Sequence, residues 1–175
     1  MSPLIMLYPS DRTPSPDAFA AAARDVVSDC DAAWLGEEGD YDLRLNDGTE
    51  IVFDILESES GAYLQLDEAR EAAIDLTYAV AERTACFVSI NTMGQGGSIS
   101  SGTAPTCALP STGAVLAENE GGHAAPVLVA DRAAFGDWFR VVMIEIARDR
   151  PVSLPPRPKR SLFQRLSDAL FGKEM

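Results

Sequence analysis

The sequence is poor in the residues from which most catalytic and metal sites are built. It contains a single histidine, His123, and three widely spaced cysteines, Cys30, Cys86 and Cys107. Its two lysines both lie beyond residue 158. The spacing of the cysteines and the histidine matches no zinc-ligand pattern. A P-loop needs a lysine that reaches the nucleotide phosphates, and no lysine occurs before residue 159. We therefore expect neither a metal nor a nucleotide cofactor.

Long apolar runs are also missing, which bears on where the protein works. No segment approaches the ~20 consecutive apolar residues that a membrane-spanning helix needs. The first ten residues, MSPLIMLYPS, lack the basic region of a secretion signal and have too short an apolar run. Three widely spaced cysteines suit reduced thiols better than a disulfide framework. We therefore expect a cytoplasmic protein, and its 46% apolar content is enough for a folded core.

Negative charge dominates the sequence, which has a formal net charge of −13. Residues 1–149 carry 25 acidic residues against 8 arginines, a net charge of −17. Residues 150–175 carry 6 basic residues against 2 acids, a net charge of +4. The acidic body repels phosphates, so we expect no direct binding to DNA or RNA. A basic protein is the partner that this charge favours.

The pattern of strands and helices predicts one acidic α+β domain over residues 1–150. The predicted order is β-α-β-β-β-α-β-β-α, and its first part has the βαββαβ order of a ferredoxin-like fold with an extra strand. This order favours a mostly antiparallel sheet with helices packed on one face. Residues 93–125 are rich in Gly, Ser, Pro and Ala and are predicted to form a loop with at most short strands.

The C-terminal residues form a separate appendage in this interpretation. Residues 151–160, PVSLPPRPKR, are predicted to be a proline-rich basic linker, and residues 161–175 a short amphipathic helix. A helix of ~12 residues is marginal alone, so its apolar side is expected to dock. There are three candidate docking sites. The first is the protein's own domain, where the acidic hairpin would attract the basic segment. The others are a groove on a partner protein and an anionic membrane surface. Docking on its own domain is favoured, and membrane contact is the least favoured.

The most informative stretch is residues 36–59, GEEGDYDLRLNDGTEIVFDILESE, which holds nine carboxylates and one arginine. Apolar residues at alternate positions predict a β-hairpin. A three-residue loop over 46–48 places Leu43 opposite Ile51 and keeps one face apolar. Gly48 supplies the left-handed conformation that such a loop requires. The other face of the hairpin is then predicted to be acidic and exposed to solvent.

We interpret this acidic face as a binding surface. Its predicted partner-binding residues are Asp40, Asp42, Asp47, Glu50, Asp54, Glu57 and Glu59. The leading hypothesis is a non-enzymatic protein that binds and blocks a basic protein, most concretely an immunity-type inhibitor of a bacterial toxin or nuclease. A solvated face that only keeps the protein soluble explains the same acids. The stretch does not fit a calcium loop, because leucines occupy ligand positions.

Two other classes of function stay open. A small hydrolase or transferase would use the 93–125 loop, with Ser100 or Cys107 as the nucleophile and His123 as the base. Ser100 lies in SISSG, a degenerate form of the GxSxG elbow, but no helix is predicted after it. Cys107 is expected to lie in a loop, although no nearby basic group would lower its pKa. The third hypothesis is a membrane-adjacent adaptor recruited by the C-terminal helix.

Overall fold

A computed structural model describes residues 3–36, 42–56, 58–92, 104–113 and 126–148. Within these ranges the chain forms eight strands, three α-helices and one short 3₁₀ helix, Pro110–Thr112. The strands are β1 (Pro3–Pro9), β2 (Ala33–Trp34), β3 (Asp42–Arg44), β4 (Glu50–Leu56), β5 (Gly61–Gln65), β6 (Cys86–Thr92), β7 (Thr106–Ala108) and β8 (Val127–Leu128). The α-helices are α1 (Pro16–Asp29), α2 (Glu71–Thr84) and α3 (Arg132–Arg148).

The described strands form one sheet in the order β2-β3-β4-β5-β1-β6-β7-β8. Every neighbouring pair is antiparallel except β7 and β8, which run parallel. The predicted α+β class with a mostly antiparallel sheet is therefore confirmed. The chain order differs from the predicted one by two short strands, β2 and β7. Trp34 of β2 stacks on Phe53 of β4, with ring centroids 5.8 Å apart, which secures this short edge strand against the core.

Individual residues at the helix ends determine where the helices begin and end. Pro16 occupies the start of α1, where its missing N–H leaves no bond unmade. Asp131 caps α3, since its Oδ1 accepts a hydrogen bond of 2.9 Å from the N–H of Ala134. Ala85 ends α2 in the left-handed conformation, with φ of 54°. These boundaries leave three amphipathic helices whose apolar sides need a common partner.

The three helices pack on one face of the sheet, and the main core lies between that face and the helices. Alternate strand residues such as Ile5, Phe53 and Val88 share a single buried cluster with the apolar residues of all three helices. The helices are also joined at the surface, where Arg132 of α3 donates hydrogen bonds to Asp75 at 2.6 Å and Glu71 at 2.9 Å on α2. The prediction that the helices pack on one face is confirmed. We call this the helix face of the sheet.

The opposite face of the sheet, which we call the second face, carries the intervening residues. The strand register places one row directly across five strands: Asp54, Tyr63, Met6, Ser89 and Thr106. A small apolar cluster centred on Leu4 shares Met6 and Tyr63 with this row and also includes Val52. Several polar members of the second face are buried, so its centre is not an open solvated surface.

The hairpin of β3 and β4 has the predicted register. Leu43 pairs with Ile51, and both are buried on the helix face. The loop is closed by a hydrogen bond of 2.8 Å from the N–H of Leu45 to the carbonyl of Thr49. Gly48 has φ of 81°, the left-handed conformation that the loop requires. The hairpin therefore presents the side chains of Asp42 and Glu50 away from the helices.

The predicted linker, residues 151–160, and the predicted C-terminal helix, residues 161–175, lie outside the described residues. None of the helices in the described ranges is long and apolar enough to cross a membrane.

Candidate partner-binding surface

The structure divides the seven predicted partner-binding residues into three groups. Four of them are exposed: Asp42, Asp47, Glu50 and Glu59. Asp54 is buried. The remaining two, Asp40 and Glu57, lie outside the described residues. Asp42 lies on β3, Asp47 in the turn between β3 and β4, Glu50 at the start of β4 and Glu59 in the turn between β4 and β5.

Asp54 corrects the prediction of a uniformly solvated acidic face. It lies on the expected side of β4, but only 2% of its surface is exposed. β4 is an interior strand, and Asp54 is paired with Tyr63 of β5 and flanked along its own strand by Val52 and Leu56. Alternation along a strand gives the direction of a side chain and not the depth at which it lies. In this conformation Asp54 is not available to a partner at the surface.

The exposed acids also do not form one patch. Glu59 lies in the turn after β4, whereas Asp47 and Glu50 lie at the turn before it. The seven residues of β4 separate these turns, a distance of about 20 Å at the usual rise of a strand. Asp47 and Glu50 therefore belong to one surface and Glu59 to another.

At the turn before β4, two further acids join the predicted ones around a cleft of about 320 Å³. The pairing of Val52 with Gln65 brings the end of β5 beside the start of β4. The connection from β5 to α2 thereby places Asp67 and Glu68 next to the hairpin loop. We call this site the acidic cleft; it is lined by Asp47, Gly48, Thr49, Glu50, Ile51, Leu66, Asp67, Glu68 and Arg70.

The lining of the acidic cleft has four carboxylates and one guanidinium. That guanidinium, on Arg70, is paired with Glu68 at 2.9 Å. The Thr49 side chain lowers the pKa of Asp47, as does the backbone N–H of Thr49, which donates to Asp47 Oδ1 at 2.9 Å. Asp47 is therefore ionised at neutral pH. The cleft has an excess of negative charge, and its lining also includes Ile51 and Leu66, which are almost fully buried.

Sequence reasoning missed Asp67 and Glu68 as part of this site. Their position before α2 suggested only that they favour the positive end of a helix. The signal that places them at the cleft is the register of the third strand, because Gln65 opposite Val52 directs residue 67 toward Glu50. Local alternation and a turn glycine predict the register of the hairpin, but no comparable local pattern predicts the register of β5.

The enzymatic alternative loses one of its two nucleophiles. Cys107 was expected in a loop, but it lies on β7, pairs with Val88 and has no exposed surface. Burial raises the pKa of its thiol far above the usual value, which removes the thiolate that a nucleophile requires. The expectation that Cys107 lies in a loop is therefore wrong. Ser100 and His123 lie outside the described residues, so the serine version of this hypothesis stays a prediction.

Metal chemistry gains no support from the part of the chain that the structure describes. No group of three or more His, Cys, Asp or Glu side chains in these ranges is placed to hold a metal ion. The carboxylates of the acidic cleft surround an opening and do not converge on one point.

Comparison of the chain with family models, with curated proteins and with solved structures found no match.

Proposed function

We propose that this protein is a non-enzymatic binding protein that holds a basic protein partner through the acidic cleft. The observation that supports the proposal is the meeting of Asp47 and Glu50 with Asp67 and Glu68 around one opening. These acids come from two separate connections in the chain, so the cleft is a product of the fold and not of local composition. Like charges repel, and an arrangement that gathers them in a fold suits a cationic ligand.

The cleft, about 320 Å³ in volume, has room for the side chain of an arginine or a lysine. The methylene stem of such a side chain would lie along the cleft, whose lining includes the almost fully buried Ile51 and Leu66. Its charged end would lie among the carboxylates, where a guanidinium can bind a carboxylate through two parallel hydrogen bonds. Asp42 on the adjoining strand β3 would add longer-range attraction. Complementary charge of this kind raises the association rate and the selectivity more than the affinity.

The most concrete form of the proposal is an immunity-type inhibitor of a bacterial toxin or nuclease with a positively charged active site. The carboxylates would then occupy the positions that substrate phosphates take in the toxin, and the bound domain would block access to it. We place this function in the cytoplasm, where the three cysteines, free in the structure, would stay reduced.

The test uses the full chain and a fluorescent arginine-rich peptide as the probe. The cleft variant carries Asp47→Asn, Asp67→Asn and Glu68→Gln. The control variant carries Asp11→Asn, Asp25→Asn and Glu145→Gln, which remove the same charge from exposed positions outside the cleft. We expect the cleft variant to lower the association rate about tenfold at low salt, because short-range attraction at the docking site is lost. The control should change it by about twofold or less.

Equal losses in the two variants would contradict the proposal. They would show that the probe responds to net charge alone, as expected for a face that serves only solubility. Asparagine at position 47 can still accept the hydrogen bond of the turn, so the hairpin should remain folded in the cleft variant. Circular dichroism of each variant checks this.

A further inference from the structure

Helix α3 has one row of side chains in the core and another row on the opposite side. The row in the core consists of Phe135, Phe139, Val142 and Ile146. The exposed row is displaced from it by two residues at each position and consists of Asp137, Val141, Ile144 and Arg148. An offset of two residues is about 200° around a helix of 3.6 residues per turn, so the exposed row points away from the core. We call it the outer row of α3.

The middle of the outer row is apolar. The exposed fraction of Val141 is 55% and that of Ile144 is 52%. Residues three positions apart are neighbours on a helix surface, so these two side chains form one continuous patch. Covering apolar surface of this kind is favourable in water. The patch therefore favours contact with a second apolar surface.

The two ends of the outer row carry opposite charges. Asp137 lies one turn before Val141, and Arg148 lies one turn after Ile144. Asp137 contacts Arg140 Nη1 at 3.2 Å, but its side chain is still 84% exposed. The row thus holds one negative and one positive charge, in contrast to the acidic cleft with its excess of acids. A second copy of this acidic protein can approach the outer row without local repulsion.

The order of residues in the outer row is complementary to itself when the row is reversed. Positions 137 and 148 are equally far from the midpoint of the row, and so are positions 141 and 144. Two antiparallel copies of α3 with aligned midpoints would place Val141 opposite Ile144 twice. The same arrangement places the carboxylate of Asp137 opposite the guanidinium of Arg148 twice. Such reciprocal contacts are the mark of a two-fold symmetric interface.

We propose that two copies of this protein form a two-fold symmetric dimer through the outer row of α3. The apolar pair supplies the contact area, and the charged ends select the antiparallel orientation, because a parallel pair would set Asp137 against Asp137. A contact between two single helices is smaller than the ~1,600 Å² of a standard protein interface, and exposed ion pairs add little affinity. We therefore expect a weak dimer that forms as the protein concentration rises. This dimer is independent of the function proposed for the acidic cleft.

The first test is sedimentation velocity of the full chain over a range of concentrations at one moderate salt concentration. The average mass of the unaltered chain should rise from that of one copy toward that of two. A mass that stays at one copy up to about 1 mM, the range of weak association, would overturn the proposal.

A pair of variants tests whether the apolar patch is the contact. The patch variant carries Val141→Gln and Ile144→Gln. The control variant carries Leu35→Gln and Leu128→Gln, which remove two exposed apolar side chains elsewhere on the protein. We expect the patch variant to weaken dimerisation about tenfold or more and the control to change it by about twofold or less. Equal effects of the two variants would overturn the proposal.

Exchange of the charges tests the antiparallel orientation. Asp137→Lys sets two positive groups against each other at both ends of the dimer, and Arg148→Glu sets two negative groups there. Each variant alone should dimerise about tenfold more weakly than the unaltered chain. An equimolar mixture of the two should recover the dimer, because every pair in the mixed dimer again joins opposite charges.

A mixture that associates no better than the separate variants would overturn the antiparallel pairing, and single variants that dimerise as well as the unaltered chain would do so too. None of these variants alters the acidic cleft or uses its probe. A failure here is therefore separate from a failure of the proposed function.

Discussion

Arg44 Nη2 lies 2.9 Å from Glu50 Oε1, across the hairpin that carries the acidic surface. Both side chains are about half exposed, so the pair contributes little to stability. Its effect is to cancel one negative charge at the edge of the acidic cleft. Arg44 is the one basic residue of the hairpin, residues 42–56.

The first prediction follows from this pair. Arg44→Gln should increase the association rate of the arginine-rich peptide about threefold, because Glu50 is no longer neutralised. The free energy of unfolding should fall by about 0.5 kcal/mol or less. Stopped-flow fluorescence measures the rate, and urea denaturation measures the stability. A slower association would show that Arg44 contributes to binding directly and would contradict the proposed role of the pair.

The second prediction concerns the approach of β5 to β1. A Cβ atom added at Gly61 would lie 2.7 Å from the carbonyl oxygen of Leu7, an atom of a central strand that has little freedom to move. Gly61→Ala should therefore lower the free energy of unfolding by about 1–3 kcal/mol, as measured by urea denaturation. Gly48→Ala is the comparison: it meets no atom within 4 Å, and its φ of +81° should cost about 1 kcal/mol. Equal stability of Gly61→Ala and the unaltered chain would contradict the close approach of Gly61 to Leu7.

The third prediction separates the three cysteines by their reactivity. Burial raises the pKa of all three thiols, but Cys30 is partly exposed, whereas Cys86 and Cys107 are buried, so access to the reagent separates them. In the native protein at neutral pH, one thiol should react with Ellman's reagent and two should react only as the protein unfolds. Rapid reaction of Cys107, identified by mass spectrometry of the labelled peptide, would contradict its position on β7.

The fourth prediction is a loss of stability in alkaline solution. Burial raises the pKa of Tyr63, and the carboxylates of Glu59 and Asp54 raise it further. A phenol whose pKa is higher in the folded state contributes stability below its ordinary pKa of about 10, and this contribution is lost as the pH rises through the folded-state pKa. The free energy of unfolding should therefore decrease above about pH 10, and Tyr63→Phe should reduce the decrease. Identical pH profiles for the two proteins would exclude Tyr63 as a source of this dependence.

The parts of the fold that follow from local pattern could be predicted from the sequence. The register of the hairpin, which pairs Leu43 with Ile51, could be predicted from the alternation of apolar residues and from the glycine at position 48. The α+β class followed from the same kind of reasoning. The two-residue strand β2 was missed because a short edge strand depends on a tertiary contact, here the stacking of Trp34 on Phe53.

The candidate site was harder to predict, because burial and convergence depend on several strands at once. The sequence placed Asp54 on the correct side of β4 but could not show that this position is covered. Asp67 and Glu68 come just before α2 in the sequence, and only the register of β5 brings them to the cleft. Cys107 was assigned to a loop because the stretch around it has a loop-like composition, and its pairing with Val88 is a contact between distant parts of the chain.

The most direct test of the central claim is comparative affinity capture from a lysate of the source organism at low and moderate salt. The baits are the unaltered chain, the cleft variant and the control variant of equal charge, with mass spectrometry of the retained proteins. We expect the unaltered chain and the control variant to retain one dominant basic protein, which the cleft variant loses and which dissociates as salt rises. Retention of the same proteins by all three baits would contradict the assignment of the acidic cleft as the binding surface.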